Sequence, residues 1–335
     1  MKIPVYARML LAGATLALGM GAAGTGNGPM LLVANQGDHT LSIVDPVAGK
    51  EIATIPVGGV TGHEVAASPD GSTAYVPIYG NSGVGAPGTD GSTISVIDLA
   101  SRKIVGTVDF GHGVRPHMPL YDPVSGKLYV TTELERAITI IDPKTLKIEG
   151  QIPTGADQSH MFVVSHDGKH GYTANVRPGS VSVLDMAARK TITIIPISGS
   201  TQRICISRDD RLVFTADQTQ PRMAVIDTST NAVKQWVPLP SVGYGSAVTL
   251  DGKYLLVAMP RAKQLAVVDL ATMQVVHTTD LPAGGQGEIL MRPDGKVAYV
   301  SGYPGHQVAE VEVGSWNVAR VIEVGQRGDG MAWVK

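Results

Sequence analysis

Three histidines, His63, His117 and His160, share one position of an internal repeat: each lies twelve residues before a tyrosine, Tyr75, Tyr129 and Tyr172. At the same position later repeats carry Gln202, Tyr244, Gly287 and Gly330. Imidazoles gathered in this way can hold one transition-metal ion, copper, zinc or iron, with coordination positions left open. They can also bind an anionic ligand as a neutral or cationic cluster, or simply satisfy loop carbonyls. Arg115, Arg203, Glu64 and Glu288 flank the position, and with Tyr244 they form the expected ligand-binding set. Histidine is the natural proton carrier of such a set near neutral pH. Met118 and Met161 follow two of the histidines and are read as strand packing, although methionine is also a soft copper ligand.

Side chains so far apart in the chain converge only if the repeat closes. An apolar stretch ending in an acid recurs seven times, and the acids are Asp45, Asp98, Asp142, Asp185, Asp227, Asp269 and Glu312. Their separations are 53, 44, 43, 42, 42 and 43 residues. A period of that length with four strand-like segments predicts a β-propeller. Asp-Gly hairpin signals such as Ser68–Gly71 and Pro293–Gly295 separate the strands. The repeated acids recur at strand ends, where they are expected to bond turn amides. The chain opens on a second strand, Met30–Asn35, and stops on a first strand, Gly330–Lys335. The expected fold is therefore all-β, a seven-bladed propeller over residues 30–335, closed by the C-terminal strand pairing with the N-terminal ones.

The spacing of 53 residues carries a Gly-rich insert, Gly80–Gly91, between the second and third strands of its blade. It is either a tolerated surface insertion or a lid over the ring mouth. In a propeller the loops entering the inner strands share a face with those joining second to third strands. That rule puts His39, His63, His112, His117, His160 and His306 on one face. His166 and His170 fall on the other, and His277 in an outer strand.

The first 24 residues read as a signal peptide: Lys2 and Arg8 precede the apolar run Met9–Gly24, which ends in small residues. The run is too short for a membrane span of ~18–20 residues. Localisation is expected to be periplasmic or secreted. The formal net charge of −2 becomes −4 when Lys2 and Arg8 leave with the leader, which argues against nucleic acid as a partner. The single cysteine, Cys205, excludes an intramolecular disulfide and a CxxCH site, so no haem c is expected, and it reads as a buried inert thiol.

The segments AYV, LYV, SPDG and VID give the chain, from about residue 30 to its end, a resemblance to the YVTN-type propellers, also called YncE-like or surface-layer-type. The resemblance implies an exported protein used for binding, adhesion or scaffolding, with no shared catalytic residues. It is more distantly similar to lactonase-type propellers. No GxSxG, P-loop or HExxH motif is present. Two functions are expected side by side. One is a monomeric exported binding protein or scaffold that takes a small-molecule or protein ligand at a His-rich channel mouth. The other is a periplasmic metal-dependent enzyme, a hydrolase, lyase or oxidoreductase, using His63, His117 and His160.

Overall fold

The computed structural model describes residues 28–282, 287–302 and 304–335. The leader read in residues 1–24 lies outside the described residues. Seven four-stranded antiparallel sheets form the chain. Blade 1 is Gly328–Val334, Met30–Asn35, Thr40–Asp45 and Lys50–Pro56; the other six follow in sequence order, each from its inner strand outward. The only helical segment among the described residues is a 3-10 turn, Glu133–Glu135.

Burial explains the residue choice in each strand. The two middle strands of a blade are covered on both faces, and Met30–Asn35 and Thr40–Asp45 are accordingly near-continuous apolar runs. The outer strand Lys50–Pro56 alternates between exposed and covered residues. The core lies between the blades. Seven apolar clusters each join one blade to the next, and one of them packs Leu31, Val33 and Val44 of blade 1 against Tyr299, Val308 and Ile322 of blade 7.

Closure is explicit in the register. Met30–Asn35 pairs antiparallel with Gly328–Val334, with Leu31 opposite Trp333 and Val33 opposite Met331. The repeated acids end their strands, or in the case of Asp142 follow it directly, and the aspartates accept turn amides: Asp45 Oδ1 from Val47 and Ala48 (2.8 and 2.9 Å), and Asp142 Oδ1 from Lys144 and Thr145 (both 2.9 Å). Glu312, one methylene longer, instead accepts the Ser315 hydroxyl at 3.0 Å.

The Gly-rich insert differs from a plain loop. Its flanks extend the ladder, as strands Thr73–Gly80 and Asp90–Asp98, and only residues 81–89 form the connection. At Gly80, φ is +106° and an added Cβ would lie 2.0 Å from the Thr89 carbonyl oxygen, so the hairpin needs glycine there.

Deleting residues 328–335 strips the pairing partner from Met30–Asn35 and removes the buried side chains of Met331 and Val334. At about 1.5–3 kcal/mol per buried large apolar side chain, added to the lost ladder, the loss rivals a whole domain's stability of about 5–15 kcal/mol. The truncated chain is expected to aggregate or elute expanded on size exclusion. A monomeric, cooperatively melting truncation would show that the ring does not depend on this strand.

Candidate functional site

The column of the repeat converges. Thr61, Arg115 and Gln158, each two residues ahead of a column histidine, all adopt left-handed backbone, with φ of +49°, +52° and +54°. The same kink in three consecutive blades turns the next residues toward the channel axis, at a conformational cost of about 1–2 kcal/mol each for a non-glycine residue. His117 and His160 then begin inner strands, and His63 sits just before one.

The three imidazoles cluster around Tyr79 in tilted and edge-on contacts. The His117 and His160 ring centroids lie 3.6 Å apart, and those of His63 and His117 lie 5.1 Å apart. The Tyr79 ring, fully buried, meets all three at 4.9, 5.4 and 6.2 Å. His117 and His160 are buried, and the Nδ1 atom of each has no hydrogen-bond partner among the described residues. The Gln202 amide approaches His160 Nε2 at 3.2 Å, and the Gln36 amide approaches His63 Nδ1 at 3.1 Å. Burial lowers the His63 pKa to about 4, with Arg203 pushing the same way and Asp329 opposing. Burial, then the charges of neighbouring imidazoles and Arg203, hold His117 and His160 well below the usual histidine value. All three are neutral at pH 7.

Beneath them lies a layer of buried charge. Arg203 Nη2 is 2.6 Å from Asp329 Oδ1 and 2.9 Å from Glu64 Oε1, and the guanidinium lies 5.5 Å from the Tyr244 ring centroid. Its Nη1 is buried without a hydrogen-bond partner among the described residues. Gln36 donates to Asp329 Oδ2 at 2.5 Å and so ties His63 to the layer. Burial works against the Arg203 charge, but Glu64 and Asp329 outweigh it and raise its pKa. Burial raises Glu64 well above the carboxylate range, against the pull of Arg203. Glu288 is raised to about 7 by the same cause. Gly330 is required by this crowding: an added Cβ would lie 2.2 Å from Glu64 Oε2 and 2.8 Å from the His63 carbonyl oxygen.

A cavity of about 220 Å³ above the layer is lined by Gln36, His63, His117, His160, Gln202, Arg203, Tyr244 and Asp329, together with Gly83 and Val84 of the insert. The insert therefore covers the mouth. Arg115, expected in the ligand-binding set, does not line this cavity. It pins the insert instead, with Nε 2.6 Å from Asp90 Oδ1, Nη2 donating to the Ala86 carbonyl at 2.7 Å, and Nη1 3.2 Å from Glu133 Oε1. Glu133 also accepts the Gly85 amide at 3.0 Å and the Tyr79 hydroxyl. One carboxylate thus links the insert to the ring that touches all three histidines. Glu64 and Glu288 belong to the charged layer, and Glu288 lines a separate cavity on its far side.

Sequence reading missed Tyr79, Gln36 and Asp329. Glu133, like Asp217, is placed by the repeat in or near a second-to-third-strand connection on the mouth face, as a candidate acid or base. Tyr79 lies beside such a connection too, which was a usable signal; Gln36 and Asp329 reach the site only through closure of the ring. Cys205 is buried, its thiol pushed up to about 12 by burial, and it accepts the Ser246 hydroxyl at 3.2 Å. Met161 packs in the core between blades 4 and 5, and His277 lies in the outer strand Gln274–Asp280.

Fold and site together define a seven-bladed propeller with a covered, histidine-lined channel mouth. The Cytochrome D1 heme domain family matches residues 125–247, a stretch that includes His160, Gln202, Arg203 and Tyr244. Among solved structures, the chain is similar to Kuenenia stuttgartiensis hydrazine synthase, at 19% identity and a TM-score of 0.73, covering 85% of this chain and 92% of that one. It is also similar to the dihydro-heme d1 dehydrogenase NirN in complex with DHE, at 16% identity and a TM-score of 0.66, covering 90% of this chain and 74% of that one. At these identities the likeness establishes the fold. No curated protein sequence matches. The matching family is not the YVTN-type one that the repeats resemble.

The match corrects the expectation of a single transition-metal ion on His63, His117 and His160, with no haem c, as the cofactor. The family matched is a haem domain, and among the described residues no group of three or more His, Cys, Asp or Glu is placed to hold a metal ion. The physical reason is twofold. The imidazoles of His117 and His160 lie against each other, centroids 3.6 Å apart and planes 33° apart, rather than aimed at one point. The lack of a CxxCH motif excludes only covalent attachment, not a group held without it.

The buried groups set the pH dependence of stability. Depressed imidazole pKa values mean that the fold binds fewer protons than the unfolded chain below about pH 6.5. Stability is thus full above that pH and falls as the pH drops, by at most about 4 kcal/mol per pH unit for three groups. Glu64 and Glu288 act oppositely. Each holds its proton above the ordinary carboxyl range, and the contribution of Glu288 is lost as the pH rises from about 4.5 toward 7. Between pH 5 and 6.5 Glu288 therefore offsets about one imidazole proton, or about 1.4 kcal/mol per unit of the rise in unfolding free energy. Glu288→Gln is expected to steepen the slope by about that amount, as measured by urea unfolding across the window. An unchanged slope would mean that Glu288 titrates normally in the fold.

Proposed function

We propose that this is an exported binding propeller whose channel mouth takes a small-molecule ligand, and that the ligand is a tetrapyrrole of the haem d1 type. The observation that carries the reading is the pair of buried neutral imidazoles, His117 and His160, whose Nδ1 atoms have no hydrogen-bond partner among the described residues. A neutral imidazole is the form that ligates iron. Arg203 Nη1, also without a hydrogen-bond partner among them, and the amides of Gln36 and Gln202 are suited to carboxylate arms. The donor set therefore fits the group. When bound, it would supply a redox-active iron and a broad aromatic surface.

Room is the second consideration. The covered mouth, at about 220 Å³, falls below the ~300–1,000 Å³ of ordinary ligand pockets. Entry of a macrocycle therefore needs the insert to lift, and Arg115 is the residue that holds it down. Binding is favoured over acid–base catalysis because imidazoles held far below neutral are weak bases at pH 7. The apolar leader and the likeness to YVTN-type repeats support export to the periplasm or beyond. No helix of the described residues is long and apolar enough to cross a membrane. The mildly acidic charge disfavours a nucleic-acid partner.

Titrating the purified protein with haem d1, or with haem b as a stand-in, is expected to give saturable absorbance changes near one equivalent. A His117→Ala/His160→Ala double variant should weaken binding at least tenfold. Absence of binding, or binding indifferent to those histidines, would remove the tetrapyrrole from this site. Arg115→Ala is expected to speed association in stopped flow while leaving the equilibrium affinity within a few-fold. An unchanged or slower association would mean that the insert does not limit access.

A further inference from the structure

The charged layer divides the channel. Arg203 lines both the histidine cavity above and a second cavity of about 300 Å³ below, which opens toward the opposite face. The lower cavity belongs to blades 3 to 7. Its wall includes Met118, Val163, Ile206, Ala247, Leu290 and Met291, all of them half-buried. These apolar side chains therefore face an open space. Apolar surface left uncovered in this way marks a place where something apolar binds. Methionines in the wall let it adapt to the shape of what enters.

The closed end of the cavity is acidic. Glu288, half-buried, sits there; its Oε2 accepts the Met331 amide at 2.5 Å, and Oε1 has no hydrogen-bond donor among the described residues. Behind it, Glu64 and Asp329 already hold Arg203, so three carboxyl groups face one guanidinium. The outer rim, by contrast, is close to balanced: Arg208 meets His166 Nε2 at 2.9 Å, and Asp210 takes the other imidazole nitrogen at 2.5 Å.

We propose that the lower cavity is a second binding site, separate from the mouth, and that it takes a small amine with an apolar body. The ammonium group sits at Glu288 and the hydrocarbon lies along the wall. The cation replaces the proton that Glu288 otherwise retains, so binding releases a proton at neutral pH. A carboxylate would meet three carboxyl groups at the same end and oppose the ionisation of each, whereas an ammonium ion is compensated when Glu288 gives up its proton. The carboxyl excess decides for the cation. This site does not rest on the tetrapyrrole reading, since none of its walls beyond Arg203 is shared with the mouth.

The test is calorimetric titration of the full protein with n-hexylammonium, n-butylammonium, hexanol and hexanoate between pH 6 and 8.5, in two buffers of different ionisation enthalpy. Hexylammonium is expected to bind best. Each methylene from butyl to hexyl should tighten binding about fourfold, and the buffer dependence should report proton release that fades above pH 8. Glu288→Gln should weaken hexylammonium at least tenfold while leaving hexanol unchanged. Val163→Trp, which fills the channel without touching the charge, should abolish binding of both. Equal or tighter binding of hexanoate, hexylammonium binding that survives Glu288→Gln, or no hexylammonium binding at all would each overturn the proposal.

Discussion

Arg203, buried in the channel of the ring, is the interaction on which the functional architecture depends. Its guanidinium comes from the entry to blade 5 and is held by Glu64 from the entry to blade 2 and Asp329 from the inner strand of blade 1. The contact therefore crosses the ring instead of joining neighbours. Desolvating these groups costs several kcal/mol per charge, which only close geometry and added hydrogen bonds repay. The supporting bonds are present: Gln36 braces Asp329, Met331 braces Glu288, and the Tyr244 ring lies beside the cation. The layer gives the channel a floor. It keeps the imidazoles above it neutral through burial and positive charge, and it leaves an apolar compartment below.

Every blade is built from the same local plan, yet the blades are used unequally. Three consecutive blades place an imidazole at the mouth. The next two place Gln202 and Tyr244 there, and the last two have only glycine. The glycine positions are not vacant. At Gly287 an added Cβ would lie 1.7 Å from the Ser301 hydroxyl, and at Gly330 it would strike Glu64. The polar side chains therefore gather on one side of the mouth, and the insert of blade 2 reaches over that side. Arg115, Glu133 and Tyr79 join the insert to the histidine cluster by direct contacts. Displacement of the insert and the environment of the imidazoles are thereby coupled through a single buried carboxylate.

Much of this was legible in the chain. The seven acids fixed the period, and each Asp accepts turn amides for a purely local reason. Strand type follows from burial pattern, because a strand covered on both faces is mostly apolar and its polar residues must find partners within the sheet, as Asn35 does in Ser42. The histidine column was visible as well, since residues at one position of a closed repeat must face the same axis. The metal expected there was not. Spacing says that His63, His117 and His160 approach one another, but it does not set the ring orientations, and imidazoles lying against each other offer no common point for one ion. Arg115 was misassigned for a related reason. Its left-handed backbone turns His117 inward and sends its own side chain to Asp90 and Ala86, and no repeat position encodes that.

The order of apolar and polar residues, with its 42- to 44-residue return, by itself determined the blades, their number and the ring they close, because strand burial and hairpin chemistry act over a few residues and repeat. Tertiary structure alone decided that Arg203 meets Glu64 and Asp329, that Tyr79 touches three histidines, and that the channel holds two unlike compartments. Those contacts join residues up to 139 positions apart along the chain. Their energies depend on exclusion of water and on side-chain orientation, and both exist only once the ring has closed.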